Sequence, residues 1–500
     1  MTMVKKLGIK VSLLSCALLA FNACEAPDQK IFDQIDAETA LKSTDPDVLQ
    51  AFAQSGYTPI IGNWGSHNSL WSLHEVSSDE MVIPQKGADW EDGHQWIRIH
   101  RHQYLPTEEA VNNGWTYCYG AIGNLNNLLK SFGSNQILRS EFEVLRALIY
   151  LWLIDAYGNV PIVTEASTDA TPPTSSRQEV FNFIESSILN NLDNLRKERT
   201  YATINYYVAQ TMLAKLYLNA EVYTGTPQWQ KAADACTEVI ESGLYSLSSD
   251  FFSNFVTQNA SSPENIFVIN YDENNGQGFN LPQMTLHYGN QATYNLQEQP
   301  WNGYSTIEEF YNSFEEDDAR RNSFLVGPQY ASDGSRILDL SAEASDPDGP
   351  PLTFTPYISE LTPNALRQEG ARIGKFEFRL GASSSLSNDY PIFRYADVLL
   401  MKAEALWRLD AGSSEALDLV NQVRLRSHPE PLPALDADAI LAERGREFFA
   451  EAYRRQDLIR FGKFNDPWWE KPASSENKNI FPIPQPQIQT NTDLQQNPGY

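Results

Sequence analysis

Apolar residues recur at intervals of three and four along much of the chain, the spacing that places them on one face of an α-helix. The pattern is strongest over 140–157, where Phe142, Leu145, Leu148, Ile149, Trp152 and Leu153 share a stripe and Tyr157-Gly158-Asn159-Val160-Pro161 ends it. It predicts further helices over 108–130, 178–195, 205–222 and 228–242, then over 395–409, 414–427 and 437–461. A shorter helix starts at Asp45, with Pro46 just inside its first turn and Val48, Leu49 and Phe52 on one side. Tyr223-Thr-Gly-Thr-Pro227 joins two of these segments as a short antiparallel connection. Helix pairs of about thirty to forty residues are the size of a tetratricopeptide (TPR) unit, and such pairs stack into a curved scaffold.

Two stretches break the rhythm. Across 57–107, Gly, Pro, Asn, Trp and His crowd together without a period, which predicts long ordered loops. Residues 245–390 are rich in Asp, Asn, Gly, Pro and aromatics, with short strand-like runs at Ile266-Phe-Val-Ile269 and Lys375-Phe-Glu-Phe378. The expected fold class is therefore mainly α, a TPR-like helix-pair scaffold with a large irregular, loop-rich insertion carrying minor β elements. The expected divisions are a leader at 1–23, a region of aromatic loops and TPR-like helices at 24–244, the insertion at 245–390, and a helical region with a Pro- and Gln-rich tail at 391–500.

The leader follows from the N-terminal pattern. Lys5, Lys6 and Lys10 precede an uncharged apolar run from Val11 to Phe21. That run is about half the roughly twenty residues a spanning helix needs, so it reads as the core of a signal peptide. Phe21-Asn22-Ala23-Cys24 follows, then the polar Glu25-Ala26-Pro27-Asp28. A small residue directly before a cysteine at this place marks bacterial lipoproteins. Cys24 is the expected lipidation site, with Leu13-Leu14-Ser15-Cys16 as the rival box.

Composition narrows the partners. Formal charge is −27, and removing residues 1–23 with their three lysines makes it 34 − 64 = −30. Such a surface repels nucleic acid and anionic headgroups, and it favours neutral over acidic glycans. The 11 Trp, 23 Tyr and 24 Phe suit a carbohydrate binder, because flat rings stack on the C–H faces of sugars while carboxylates accept from hydroxyls. Cys118 and Cys236 each fall on the apolar stripe of a helical pattern and are expected to be free buried thiols. No cofactor is implied.

Five of the seven histidines, at 67, 74, 94, 100 and 102, lie close together, but without cysteines or carboxylates at ligand spacing they predict no metal. Asp346-Pro-Asp348-Gly349 lacks the rest of a calcium loop, the closing Glu included, and reads as an acidic solvent loop.

A series of short motifs fills the C-terminal third: Tyr390-Pro-Ile-Phe-Arg-Tyr-Ala-Asp to Leu406, then Val420-Asn-Gln-Val-Arg424, Glu443-Arg-Gly-Arg-Glu-Phe-Phe449 and Arg455-Gln-Asp-Leu-Ile-Arg460. In these stretches the chain resembles the SusD/RagB family of surface glycan-binding lipoproteins. Phe481-Pro-Ile-Pro484 and Gln496-Asn-Pro-Gly-Tyr500 follow in family order. Arg146-Ala-Leu, Asp155-Ala-Tyr-Gly-Asn-Val-Pro161 and Ser78-Asp-Glu80 extend it towards the N-terminus. The resemblance implies a TPR-like scaffold on the outer face of the outer membrane, anchored by lipid. It also implies oligosaccharide capture for a SusC-like TonB-dependent transporter, and no enzymatic activity. A peptide ligand on the same scaffold is the alternative, and a glycoside hydrolase built on Glu308-Glu309 or on Glu315 to Asp318 is the remotest. Glu443, Arg444, Glu447, Arg454, Arg455, Asp457 and Arg460 fall at helical spacings, which predicts ion pairs along helix surfaces.

The ligand site is argued from residue types. Trp64, Trp71, Trp90, Trp96 and Trp115 fall within under sixty residues, with Asn63, Asp89, Glu91 and Asp92 among them. Trp115 sits in a helical pattern and reads as core. A second group, Tyr288, Tyr294, Trp301 and Tyr304, lies in a polar stretch with Asn290, Asn295 and Asn302. The candidate ligand-binding residues are Trp64, Trp71, Asp89, Trp90, Trp96, Tyr288, Tyr294 and Trp301, and the two loops are expected to converge on one glycan site.

Overall fold

A computed structural model describes residues 42–62, 64–275, 278–339 and 351–500. The leader, Cys24, Asn63 and residues 346–349 lie outside the described residues.

The periodic segments are helices: Pro46–Ile61, Glu109–Phe132, Gln136–Ala156, Arg177–Leu189, Tyr206–Leu218, Trp229–Glu241, Tyr395–Leu409, Ser414–Arg424, Ala437–Phe448 and Arg454–Arg460. Polar caps fix several starts. Asn135 accepts from the Ile137 and Leu138 amides, Asn205 does the same for Tyr207 and Val208, and Ser176 with Glu179 forms a capping box. Glu109–Phe132 packs on Gln136–Ala156, Tyr206–Leu218 on Trp229–Glu241, and Tyr395–Leu409 on Ser414–Arg424. Trp229–Glu241 also packs on Tyr395–Leu409, so the helix stack continues directly from one side of the insertion to the other. At the base of the insertion, strand Asn265–Ile269 pairs antiparallel with Tyr390–Arg394, which leads directly into the helix at Tyr395.

The structure departs from the sequence pattern in four places. Leu70–Val76 and Gln95–His100 are helices inside the stretch expected to be loop. All residues of Leu70–Val76 are buried, so no polar face betrays its period. Lys375–Phe378 is not a strand, and the second strand comes from Tyr390–Arg394 instead.

The helix expected over 437–461 is cut in two. Ala450 and Ala452 take φ of 60° and 61°, which halts a right-handed helix. Distant carboxylates hold that turn: Glu80 Oε1 accepts from the Ala450 amide at 3.1 Å and Glu75 Oε1 from the Ala452 amide at 2.6 Å.

Finally, the expected surface ion pairs are a buried network across the fold. Glu447 accepts from Arg320 at 3.1 Å, from Arg394 at 3.0 Å and from Arg426. Arg444 bridges Asp397 and Asp457, Arg455 reaches Asp155, and Arg460 reaches Glu404 at 2.7 Å. Pairs along one helix, such as Arg460 with Asp457, are the minority. The physical reason is burial: carboxylates with essentially no solvent exposure need several donors each, and one helix face cannot supply them. Cys118 and Cys236 are free and buried, as the sequence predicts. Among the described residues no helix is long and apolar enough to cross a membrane.

Candidate functional site

The two aromatic loops meet. Trp90, from the loop before Gln95–His100, and Trp301, from the loop before the short strand Ser305–Thr306, line one open hollow of about 440 Å³. His67, Asp89, Asp92, Tyr288, Gln299 and Pro300 complete its wall. The strand pair Met81–Val82 with Ser305–Thr306 brings the loops together from positions more than two hundred residues apart.

Backbone and hydrogen bonds set the rings. Trp90 sits at φ 59°, a conformation that costs a bulky residue about 1–2 kcal/mol and persists only when its surroundings impose it. Its Nε1–H donates to the Trp301 carbonyl at 2.7 Å, which ties one loop to the other. His67 stands between the rings, edge-on to Trp90 with centroids 5.1 Å apart and 6.0 Å from Trp301. Its Nδ1 lies 2.9 Å from the Tyr304 hydroxyl beneath. Burial pushes the His67 pKa down to about 4, although Asp92 opposes this, so the ring is neutral at pH 7. Asp89 and Asp92 are exposed at the rim. The charge facing the hollow is therefore negative, and the rings offer an apolar surface between acceptors.

The remaining candidates separate by burial. Trp96 is 1% exposed and lies under the wall, where its Nε1–H donates to Asp92 Oδ2 at 3.0 Å and aims that carboxylate. Trp64 is 4% exposed and packs on Trp152 at 4.4 Å between ring centroids. Trp71 is fully buried and donates to the Tyr390 hydroxyl at 3.1 Å. Neither ring reaches the hollow: Trp71 is core, and Trp64 is buried beside a separate cavity of about 60 Å³ shared with Trp152 and His74, so the structure does not bring these two candidates to the site. Trp115, read as core, is buried.

Tyr288 lines the hollow, whereas Tyr294 packs edge-on against Phe378 at 5.4 Å and does not. Tyr304 is buried beneath it. Asn290 and Asn302 are buried and bonded within the loops, Asn302 Oδ1 accepting from Arg372 at 2.9 Å. Sequence reasoning missed His67, Gln299 and Pro300 as wall residues. The only local signal was their place beside Trp64 and Trp301.

Other candidate chemistry is already engaged. His100 Nε2 contacts the Trp469 carbonyl at 2.8 Å, and His102 contacts the Ser77 carbonyl and the Ser474 hydroxyl. Glu315 and Asp317 converge on His428, but Arg424 already pairs with Glu315 at 2.8 Å. Asp318 is buried against Arg320.

Residues 380–500 match the model of the SusD family. SusD-like protein P38 of Formosa agariphila is 27% identical, over 79% of this chain and 83% of its own length. The starch-binding protein SusD of Bacteroides thetaiotaomicron is 26% identical, over 88% of this chain and 86% of its own. Among solved structures, surface glycan-binding protein A of Bacteroides thetaiotaomicron in complex with laminarihexaose superposes with a TM-score of 0.71 at 21% identity. That match covers 90% of this chain and 99% of that one. No residue lining the hollow falls within 380–500.

Proposed function

The chain resembles the SusD/RagB family over most of its length and has the TPR-like helical fold of SusD superfamily structures; from that premise we propose that it is a glycan-binding protein whose ligand stacks on Trp90 and Trp301. The observation that carries this reading is the meeting of two partly buried indoles, from distant loops, around an open hollow. Sugar C–H faces fit the rings, and hydroxyls donate to Asp89 and Asp92 at the rim. Two carboxylates and a neutral imidazole favour an uncharged oligosaccharide over a uronate or sulfated one. The relatives named for starch and solved with laminarihexaose bind neutral glucans, which makes α- and β-glucans the first ligands to try. The binding is not coupled to catalysis in this reading.

The finer parts of the proposal follow the resemblance. Cys24 carries the lipid, the protein stands on the outer face of the outer membrane, and a SusC-like TonB-dependent transporter receives the bound oligosaccharide. The division into a leader at 1–23, regions at 24–244 and 391–500 and an insertion at 245–390 belongs to the same proposal. Co-purification from mildly solubilised outer membrane should recover a large β-barrel protein, and recovery of the chain alone counts against this partner.

The binding test is calorimetric titration with laminarihexaose and with maltohexaose. A stacked ring contributes about 1 kcal/mol, so Trp90→Ala and Trp301→Ala should each weaken binding about fivefold or more. The melting temperature should hardly change, because both rings are only partly buried. Unchanged affinity in both variants, or binding of oligopeptides with no glycan bound, sinks the reading.

A further inference from the structure

A buried glycine, Gly303, backs one ring of the site. An ideal Cβ at Gly303 would lie 2.3 Å from Trp90 Cζ2, 2.5 Å from Cε2 and 2.6 Å from Cη2. All are well inside van der Waals contact. Such similar distances to three consecutive ring atoms put that Cβ position over the face of the six-membered ring, on its Cζ2 side, and not beyond its edge. One face of the Trp90 indole therefore rests on bare backbone, and the ring also lines the hollow.

The seat is fixed. The Gly303 amide donates to the Met284 carbonyl at 2.8 Å, and its neighbours are tied in the same way: Trp301 to Gln283 at 2.7 Å, Asn302 to Leu286 at 2.9 Å and Tyr304 to Met284 at 2.9 Å. On the other side, Lys86 Nζ donates to the Gly303 carbonyl at 3.4 Å and to Pro84 at 3.3 Å. With this backbone held by consecutive bonds, a side chain at 303 can be accommodated only by the indole. The indole has room to leave, because it is half-buried at the edge of an open hollow. Its departure would break the Nε1–H bond to Trp301 and release the strained φ at residue 90.

We propose that Gly303 is a positioning residue for ligand recognition: its lack of a Cβ sets the pose of the Trp90 ring. This rests on the proposed role of the hollow, and its test separates the two claims. Gly303→Ala, Trp90→Ala and the double variant are titrated with laminarihexaose and maltohexaose. Gly303→Ala should lose as much affinity as Trp90→Ala, about fivefold or more. In the Trp90→Ala background the same change should cost less than about twofold, because residues that act through one another are not additive.

If Trp90→Ala binds as the parent does, Trp90 is not part of the site and the positioning role fails with it, whereas the site reading falls only if Trp301→Ala is unchanged as well. If Trp90→Ala weakens binding but Gly303→Ala does not, or if the two losses add in full, the positioning role fails. A ligand-free readout decides the pose whatever the glycan. In protein labelled with 5-fluorotryptophan, the Trp90 fluorine resonance, assigned by its absence in Trp90→Phe, should move in Gly303→Ala while the core tryptophans stay in place. An unmoved resonance overturns the proposal.

Discussion

Glu141→Gln should make the protein more stable near neutral pH and leave it almost unchanged near pH 5. Glu141 lies on the Gln136–Ala156 helix, is 4% exposed, and accepts from the Tyr57 hydroxyl at 2.6 Å. Burial pushes its pKa from 4.5 up to about 7, against the opposing effects of the Tyr57 bond and Arg196. Between those two values the folded chain holds a proton that the unfolded chain has lost. Folded stability therefore falls as pH rises through that window, by about 3 kcal/mol at about 1.4 kcal/mol per pH unit.

Glutamine keeps an acceptor for Tyr57 and cannot ionise, so that slope vanishes. Buried Glu75 and Glu80 slope the same way, whereas His67, His74 and His100, depressed to about 4 by burial, slope the other way. Only the difference between variant and parent is diagnostic. For 500 residues, at about 2.1 cal/mol/K per residue, each kcal/mol moves the melting temperature about 1 °C. The difference should grow to about 3 °C between pH 5 and pH 7.5 by scanning calorimetry. A flat difference, or one that shrinks with pH, refutes the protonated buried carboxyl.

Truncating the buried network should be costly. Glu447→Ala leaves the Arg320, Arg394 and Arg426 guanidiniums short of an acceptor and should cost about 3–5 kcal/mol, read as the midpoint shift in urea unfolding; a loss under about 1 kcal/mol contradicts the network. Glu443 gives the acid-side counterpart. Burial opposes its ionisation but Arg320 and Arg446 outweigh burial and hold it at about 2, so its contribution is full above pH 4.5 and disappears as pH falls towards 2. Glu443→Gln should remove that part of the acid-unfolding slope. Cys24→Ala should shift the protein from the membrane to the soluble fraction. If the variant stays membrane-bound and lipid-labelled, Cys16 or another anchor is responsible.

Long amphipathic helices were legible because their periods are local. Phe142, Leu145, Ile149 and Trp152 on Gln136–Ala156 need no partner to declare a buried stripe. What was illegible depends on distant residues. Nothing near Ala450 and Ala452 marks a helix break, since neither Gly nor Pro is present, and the carboxylates that hold the turn come from residues 75 and 80.

The acidic and basic residues of 443–460 read locally as neighbours three and four apart. Their partners at 155, 320, 394, 397 and 404 appear only in three dimensions. In the site, composition found the right loops but could not rank rings within them. Trp64, Trp71 and Trp90 all sit in aperiodic sequence, and only burial separates core from surface. The polar flanks Asp89, Glu91 and Asp92 were the usable hint at Trp90, while a glycine such as Gly303 carries no signal of what rests on it.

The division between scaffold and site has a physical basis. The stretch that matches the SusD family model holds much of the buried charge network and none of the residues that line the hollow. A buried ion pair tolerates no drift, because moving one partner strands the other, so the network fixes the relative placement of helices and of the Tyr390–Arg394 strand. The hollow is built otherwise. Trp90 and Asp92 take positive φ in a wall whose two loops are joined by short strand pairing and, on the second loop, by backbone bonds to 283–286. Strained backbone at Trp90 and Asp92, supported by a rigid frame outside the hollow, is what the proposed ligand site would need to hold its ring in one pose. A sequence match to the frame therefore carries the fold, and the proposed glycan site draws instead on residues 67–92 and 288–303.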